Sequence, residues 1–212
     1  MRNSVISAMA VGLALGLVTP AVAGDWTGVH LTFGLSNAST NMGATAGSIV
    51  FPDGAVSDHA PFAGIGYDKA FGNLTFGLVA DVDLTGVDSY DDMVSSGKGF
   101  YGESDWFATF RGRVGVPVND DLHIFASGGL AVMKARGTAA VKLGPAVSDT
   151  DYLKGAAVGL GMEYSVTPTG HLTVEYLYAD FEGSDLLGLP NPSAGRLDPT
   201  VSTLRIGYTL RF

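Results

Sequence analysis

The chain of 212 residues contains no cysteine. Without a thiol there is neither a disulfide framework nor a thiolate metal site. Charge is scarce as well: 16% of residues are Asp, Glu, Lys or Arg, against about a quarter in ordinary soluble domains. Bases are the scarcer sign, 12 Lys and Arg against 21 Asp and Glu, for a formal charge of −9. Nucleic-acid binding needs clustered bases to neutralise phosphates, so that class is excluded. Long apolar runs are missing too. After residue 23 nothing approaches the roughly 18 consecutive apolar residues of a membrane helix, and no sustained 3.6-residue period appears.

What is present is apolar and glycine-rich: 46% hydrophobic residues and 30 glycines. The first 23 residues, "MRNSVISAMAVGLALGLVTPAVA", account for part of this. One base, Arg2, precedes an apolar run from Val5 to Val18, and Ala21-Val22-Ala23 closes it. That is the pattern of a secretory signal peptide cleaved before Gly24. The run is too short for a spanning helix. The expected mature chain, 24–212, keeps 11 bases and 21 acids, a charge of −10.

Along that chain the recurring pattern is alternation. In "VSTLRIGYTLRF" one register reads Ser202, Leu204, Ile206, Tyr208, Leu210, Phe212 and the other Val201, Thr203, Arg205, Gly207, Thr209, Arg211. "LTFGLVADVDL" sets Leu74, Phe76, Leu78, Ala80, Val82 and Leu84 against a face with Asp81 and Asp83. "DWFATFRGRVGV" opposes Trp106, Phe110 and Val114 to Asp105, Phe107, Arg111 and Arg113. "GAAVGLGMEYSV" and "HLTVEYLYA" put Glu163 and Glu175 opposite apolar rows. With "WTGVHLTFGL", "PFAGIGY" and "LHIFASGGLAV" there are eight such segments. A period of two means strands whose faces meet different solvents. Short turns at 69–73, 117–121 and 167–170 alternate with long links at 37–58, 85–104, 135–152 and 181–199. Eight strands joined in this way predict an all-β, antiparallel up-and-down transmembrane barrel, grease outward and polar side chains inward.

In that arrangement the inward residues are small or charged, with little bulk for a dry core. Glu163 and Glu175 are expected to meet Arg111, Arg113 and Arg205 in the lumen, with Asp81 and Asp83 capping the network. An eight-stranded barrel is only wide enough for side chains to fill, so this reads as a plug, with a narrow ion-selective channel as the alternative. The bases Lys98, Lys134, Arg136, Lys142, Lys154 and Arg196 fall at the far strand ends or in the long links. That is the height of lipopolysaccharide phosphates, which Lys and Arg bind well; ordinary solvated loop charges are the other reading.

The stretches "DWTGVHLTFG", "WFATFRGRVGV", "VGLGMEYSVTPTGHLTVEYLYADF" and "LRIGYTLRF" resemble the small outer-membrane β-barrel proteins of alphaproteobacteria. These are the porin-family, opacity-like or outer-membrane immunogenic proteins, similar to the outer-membrane protein A barrel. The resemblance implies a Gram-negative outer-membrane barrel with both termini in the periplasm. It also implies that Tyr208, Leu210 and Phe212 form a terminal signal read by the barrel-assembly machinery. It brings roles in envelope integrity and in contact with host or envelope proteins through loops, and it brings no catalytic residues and no cofactor.

Enzymes that modify lipid A are a third possibility on such a barrel. The histidines are His30, His59, His123 and His171, and none stands in a readable nucleophile arrangement. Residues Asp81 to Asp92 loosely match a calcium loop, with Asp83, Thr85 and Gly86 between, but the flanking helices are missing. No metal site is expected.

Overall fold

Apolar side chains cover the outside of this molecule and charged ones fill part of its inside. In the computed structural model, Leu35 and Leu130 are each 67% exposed, whereas Arg111 and Arg205 are each 1% exposed. The structure describes residues 26–46, 49–50, 55–84, 87–91, 98–141, 147–182 and 196–212. The expected leader, 1–23, lies outside the described residues, as do Thr85, Gly86, Asp92 and Lys142.

The strands are β1 (Gly28–Ala46), β2 (Ile49–Val50), β3 (Ala55–Phe71), β4 (Leu74–Asp83), β5 (Val87–Asp91), β6 (Lys98–Pro117), β7 (Leu122–Val141), β8 (Val147–Thr167), β9 (Gly170–Phe181) and β10 (Arg196–Arg211). Eight of them pair antiparallel in the order β1-β3-β4-β6-β7-β8-β9-β10, and β10 pairs with β1 from His30–Arg211 to Thr45–Arg196. The sheet is therefore closed. Closure satisfies the backbone donors and acceptors of every wall, the condition for crossing hydrocarbon with strands. The short β5 pairs with β6 beyond the end of β4, and β2 pairs with the tip of β1.

At one end the connections are tight. Gly72, at φ +63°, makes the turn after β3. After β6 the Asn119 side chain accepts the amides of Asp121 and Leu122 at 2.9 and 2.8 Å. Pro168 and Thr169 join β8 to β9.

At the other end the strands run further than hydrophobic alternation predicts. Much of the expected links at 37–58, 85–104 and 135–152 is strand, as are the two ends of 181–199, and β6, β7 and β8 reach 20, 20 and 21 residues. At about 3.4 Å per residue and a tilt near 40°, 20 residues rise roughly 50 Å, twice the apolar band of about 25 Å. Hydrophobic alternation does not mark these extensions, because their outward residues, such as Asn37, Ser39 and Ser57, are polar.

Above the band the sense of the alternation reverses. Leu35 is outward and Ser36 buried, but two residues on Asn37 is exposed and Ala38 buried. On β10, Leu204 faces out and Arg205 in, while Ser202 faces out and Val201 in. The same change occurs between Val158 and Lys154 on β8 and between Tyr178 and Asp180 on β9. The interior there holds Phe107, Met133, Leu153, Leu177, Phe181 and Val201 among buried alanines. The expectation of an interior without apolar bulk is thus wrong for the upper barrel: there water lies outside, and the grease turns inward.

One residue departs from its expected face. Alternation alone puts Asp105 inward with Phe107, but a bulge between Ser104 and Trp106 turns it outward, where it is 62% exposed beside Lys134.

Candidate functional site

The lumen between the two ends is bridged by ionic side chains from six walls. Strand alternation aims them inward, and barrel closure brings together strands far apart in sequence.

The upper tier is built on Arg111 of β6 and Arg205 of β10. Arg111 donates to Asp81 at 2.7 Å and to Glu175 at 2.5 Å, with the Thr109 and Ser127 hydroxyls at 2.8 and 2.6 Å. Arg205 lies 2.8 Å from Asp81, 2.9 Å from Asp83 and 3.4 Å from Glu175. Asp83 also accepts the Ser36 hydroxyl at 2.5 Å. Asp81 and Asp83 therefore direct their oxygens at guanidinium groups inside the barrel, and the loose calcium-loop match does not describe them.

The lower tier holds Arg113 and Arg211. Arg113 donates to Glu163 at 2.6 Å, lies 3.6 Å from Asp68, and rests 3.7 Å over the Phe125 ring. Arg211 reaches Glu163 at 2.9 Å and Asp68 at 3.1 Å. His30 Nε2 is 3.4 Å from Asp68. Sequence reasoning named Asp81, Asp83, Arg111, Arg113, Glu163, Glu175 and Arg205, and the structure brings all seven into this interior. It missed Asp68 and Arg211. Both continue an inward row already visible, Gly64-Gly66-Asp68 on β3 and Arg205-Gly207-Thr209-Arg211 on β10. Among the described residues the two tiers hold four arginines against five carboxylates, all buried.

Below the ions lies a floor that the alternation does not signal. Trp26, just before β1, is 1% exposed. Its ring stacks on His123 at 4.8 Å and tilts against His171 at 5.0 Å. Arg211 donates to the Trp26 carbonyl at 2.9 Å. The chain turns inward here because Gly28 adopts φ +143°, and a β-carbon at Gly28 would run into the Phe212 carbonyl. His123 also bonds the Thr75 hydroxyl at 2.7 Å, and Ser165 meets His171 at 3.0 Å. His59 is elsewhere, on the outer wall beside Asn37 at 2.9 Å.

A cavity of ≈ 30 Å³ remains beside the tiers, touched by His30, Asp81, Arg111, Arg113, Glu175 and Arg205. It has room for a water molecule, with enough polar atoms around it to hold one. It is far too small for a hydrated solute. The arrangement fits cross-bracing of the walls better than conduction through them.

Of the remaining sequence-predicted residues, those whose side chains are described lie outside the lumen. Lys134, Arg136 and Lys154 project from the outer walls of β7 and β8. Lys98 and Arg196 are on β6 and β10. Tyr208 and Leu210 face outward on β10, and Phe212 is 73% exposed at its end. Phe33 and Tyr208 place their ring centroids 6.1 Å apart across the β1–β10 seam.

The sequence pattern of the outer membrane protein beta-barrel domain matches residues 7–212. The 31 kDa outer-membrane immunogenic proteins of Brucella melitensis and Brucella suis are each 30% identical over 146 residues, covering 64% of this chain and 59% of the relative. The matched region thus spans less than two-thirds of those proteins. Among solved structures, Ail of Yersinia pestis, determined with the heparin analogue sucrose octasulfate, aligns with a TM-score of 0.53 at 14% identity. That alignment covers 88% of this chain and 99% of Ail. Neisserial surface protein A aligns with a TM-score of 0.51 at 14% identity, over 88% and 98% of the two chains. At such identities the likeness concerns the fold.

Proposed function

Because the chain belongs to the outer membrane protein beta-barrel domain family, we propose that it is a stoppered barrel of the Gram-negative envelope that anchors in the outer membrane and displays its long strand ends outside. The observation that carries this reading is the pairing of a greasy outer belt with a lumen closed by ions. Val29, Leu31, Phe33, Ile65, Leu78, Phe110, Leu130, Val158 and Ile206 are exposed on one surface. Only hydrocarbon makes such a continuous apolar belt favourable.

In this reading the leader is removed before Gly24 and the short turns and both termini face the periplasm. The barrel-assembly machinery engages the outward row Tyr208, Leu210 and Phe212. Contacts with host or envelope proteins belong to the far end, and the relatives named immunogenic support a surface role. No catalytic step is assigned.

Two measurements test the reading. The folded protein in mild detergent is expected to migrate differently before and after boiling, as a closed barrel resists the detergent and an unfolded chain does not. In planar bilayers it is expected to give no sustained open-channel steps. A steady conductance from the pure protein would replace the stopper by a narrow channel.

A further inference from the structure

The reversal of alternation marks a height on the barrel, and a second feature coincides with it. Among bases whose side chains are described, Arg111, Arg113, Arg205 and Arg211 are inside and Lys69 lies at the short-turn end beside Phe71. The other three, Lys134, Arg136 and Lys154, stand together on the outer wall of β7 and β8 at the level where outward residues change from apolar to polar. Lys134 is in register with both Trp106 and Tyr152, whose ring centroids are 6.4 Å apart. Lys154 is in register with Val132, the last apolar outward residue of β7 before Lys134. Arg136 lies one outward position above Lys134 and donates to Thr150 at 3.4 Å. On the opposite wall the corresponding outward residues are Asn37, His59 and Ser202, so the cluster is one-sided.

Resting on the orientation proposed above, we infer that the outer-leaflet headgroup layer meets the barrel at this level and that Lys134, Arg136 and Lys154 dock the phosphate of one anionic lipid, with Trp106 and Tyr152 beside its glycolipid or glycerol body. Aromatic rings sit at the boundary between hydrocarbon and headgroups, and charge-assisted bonds from Lys and Arg suit phosphate oxygens. Asp105 holds Lys134 at 2.8 Å and leaves two of its three ammonium protons to the ligand. Asp180 and Glu182 stand exposed on or just beyond the adjoining β9 and Asp105 on β6, so the phosphate seats over β7, between those two acidic flanks.

The test has two arms. Because the chain has no cysteine, single substitutions report position cleanly. Asn37→Cys and Ser202→Cys should react with an impermeant maleimide on whole cells, and Leu35→Cys and Leu204→Cys should not. Equal labelling across the pairs overturns the boundary. Labelling of Asn37→Cys and Ser202→Cys in broken membranes alone overturns the orientation and leaves the boundary standing. In the second arm, native mass spectrometry counts phosphorylated glycolipid retained by barrels extracted from outer membranes. Joint replacement of Lys134, Arg136 and Lys154 by Ala should lower retention at least about tenfold, while Lys134→Arg with Lys154→Arg, and Lys69→Ala, should keep it. Unchanged retention in the triple variant, or an equal loss in Lys69→Ala, overturns the site. Displacement of the lipid by millimolar inorganic phosphate overturns a lipid site in favour of a free-anion site.

Discussion

Arg205 contacts carboxylates from two other walls, Asp81 and Asp83 on β4 and Glu175 on β9. Removing one partner of a buried ionic network leaves the others uncompensated, at a cost of about 3–5 kcal/mol. Arg205→Leu is therefore expected to lower the unfolding free energy of the detergent-folded barrel by that amount, read as a fall in its urea midpoint. An unchanged midpoint would mean that water, not Arg205, satisfies Asp81 and Asp83. A steric limit applies close by. Gly34 faces Gly207 across the closing seam, and a β-carbon at Gly34 would run into the Ile206 carbonyl with the Phe62 ring over the same spot. Gly34→Val should destabilise by about 1–3 kcal/mol, read from the temperature at which the unboiled gel band converts. Gly72, whose β-carbon would meet nothing within 4 Å but whose φ is +63°, should show a smaller loss on replacement by Asn, a residue that tolerates that backbone region.

At the scale of elements, the segment before β1 acts as a clasp, since Trp26 fills the floor between His123 and His171 while its carbonyl holds Arg211 of β10. Trp26→Ala should cost about 3–5 kcal/mol, the range for truncating a buried aromatic. With Trp106→Phe as background, the Trp26 fluorescence of the folded barrel should resist aqueous quenchers; ready quenching would place the indole outside. The bulge in β6 offers the opposite case. Deleting Asp105 removes the extra residue while Phe107 stays inward and Trp106 outward, so folded yield should persist and only the Lys134 contact should disappear. Loss of folding would show that the bulge itself holds the register. These elements also show what the sequence could convey. The strand faces were legible wherever hydrocarbon met one side and ions the other, as from Leu204 to Leu210. Above Leu35 both faces mix small, apolar and polar residues, so period two survived but its direction did not, and the upper core of Phe107, Met133 and Leu177 stayed hidden. Trp26 could not be found at all from periodicity, because it precedes the first strand. Asp68 was legible in principle, but the glycines at 64 and 66 made β3 the faintest segment.

For the whole molecule, the lower ionic stopper and the upper apolar core act in series. Opening the lumen would require clearing both, and loss of Arg111 alone should leave single-channel recordings silent, with stability falling instead. Step-like currents from Arg111→Ala would show that the apolar section is no barrier. The pairing of β10 with β1 couples closure of the sheet to charge balance inside it. Without β10 the wall carries Asp68, Asp81, Asp83, Glu163 and Glu175 against Arg111 and Arg113 among the buried residues described. Arg205 and Arg211 of β10 contact all five of those acids. That strand is the keystone of an arch: seating it completes the ring and neutralises its contents together.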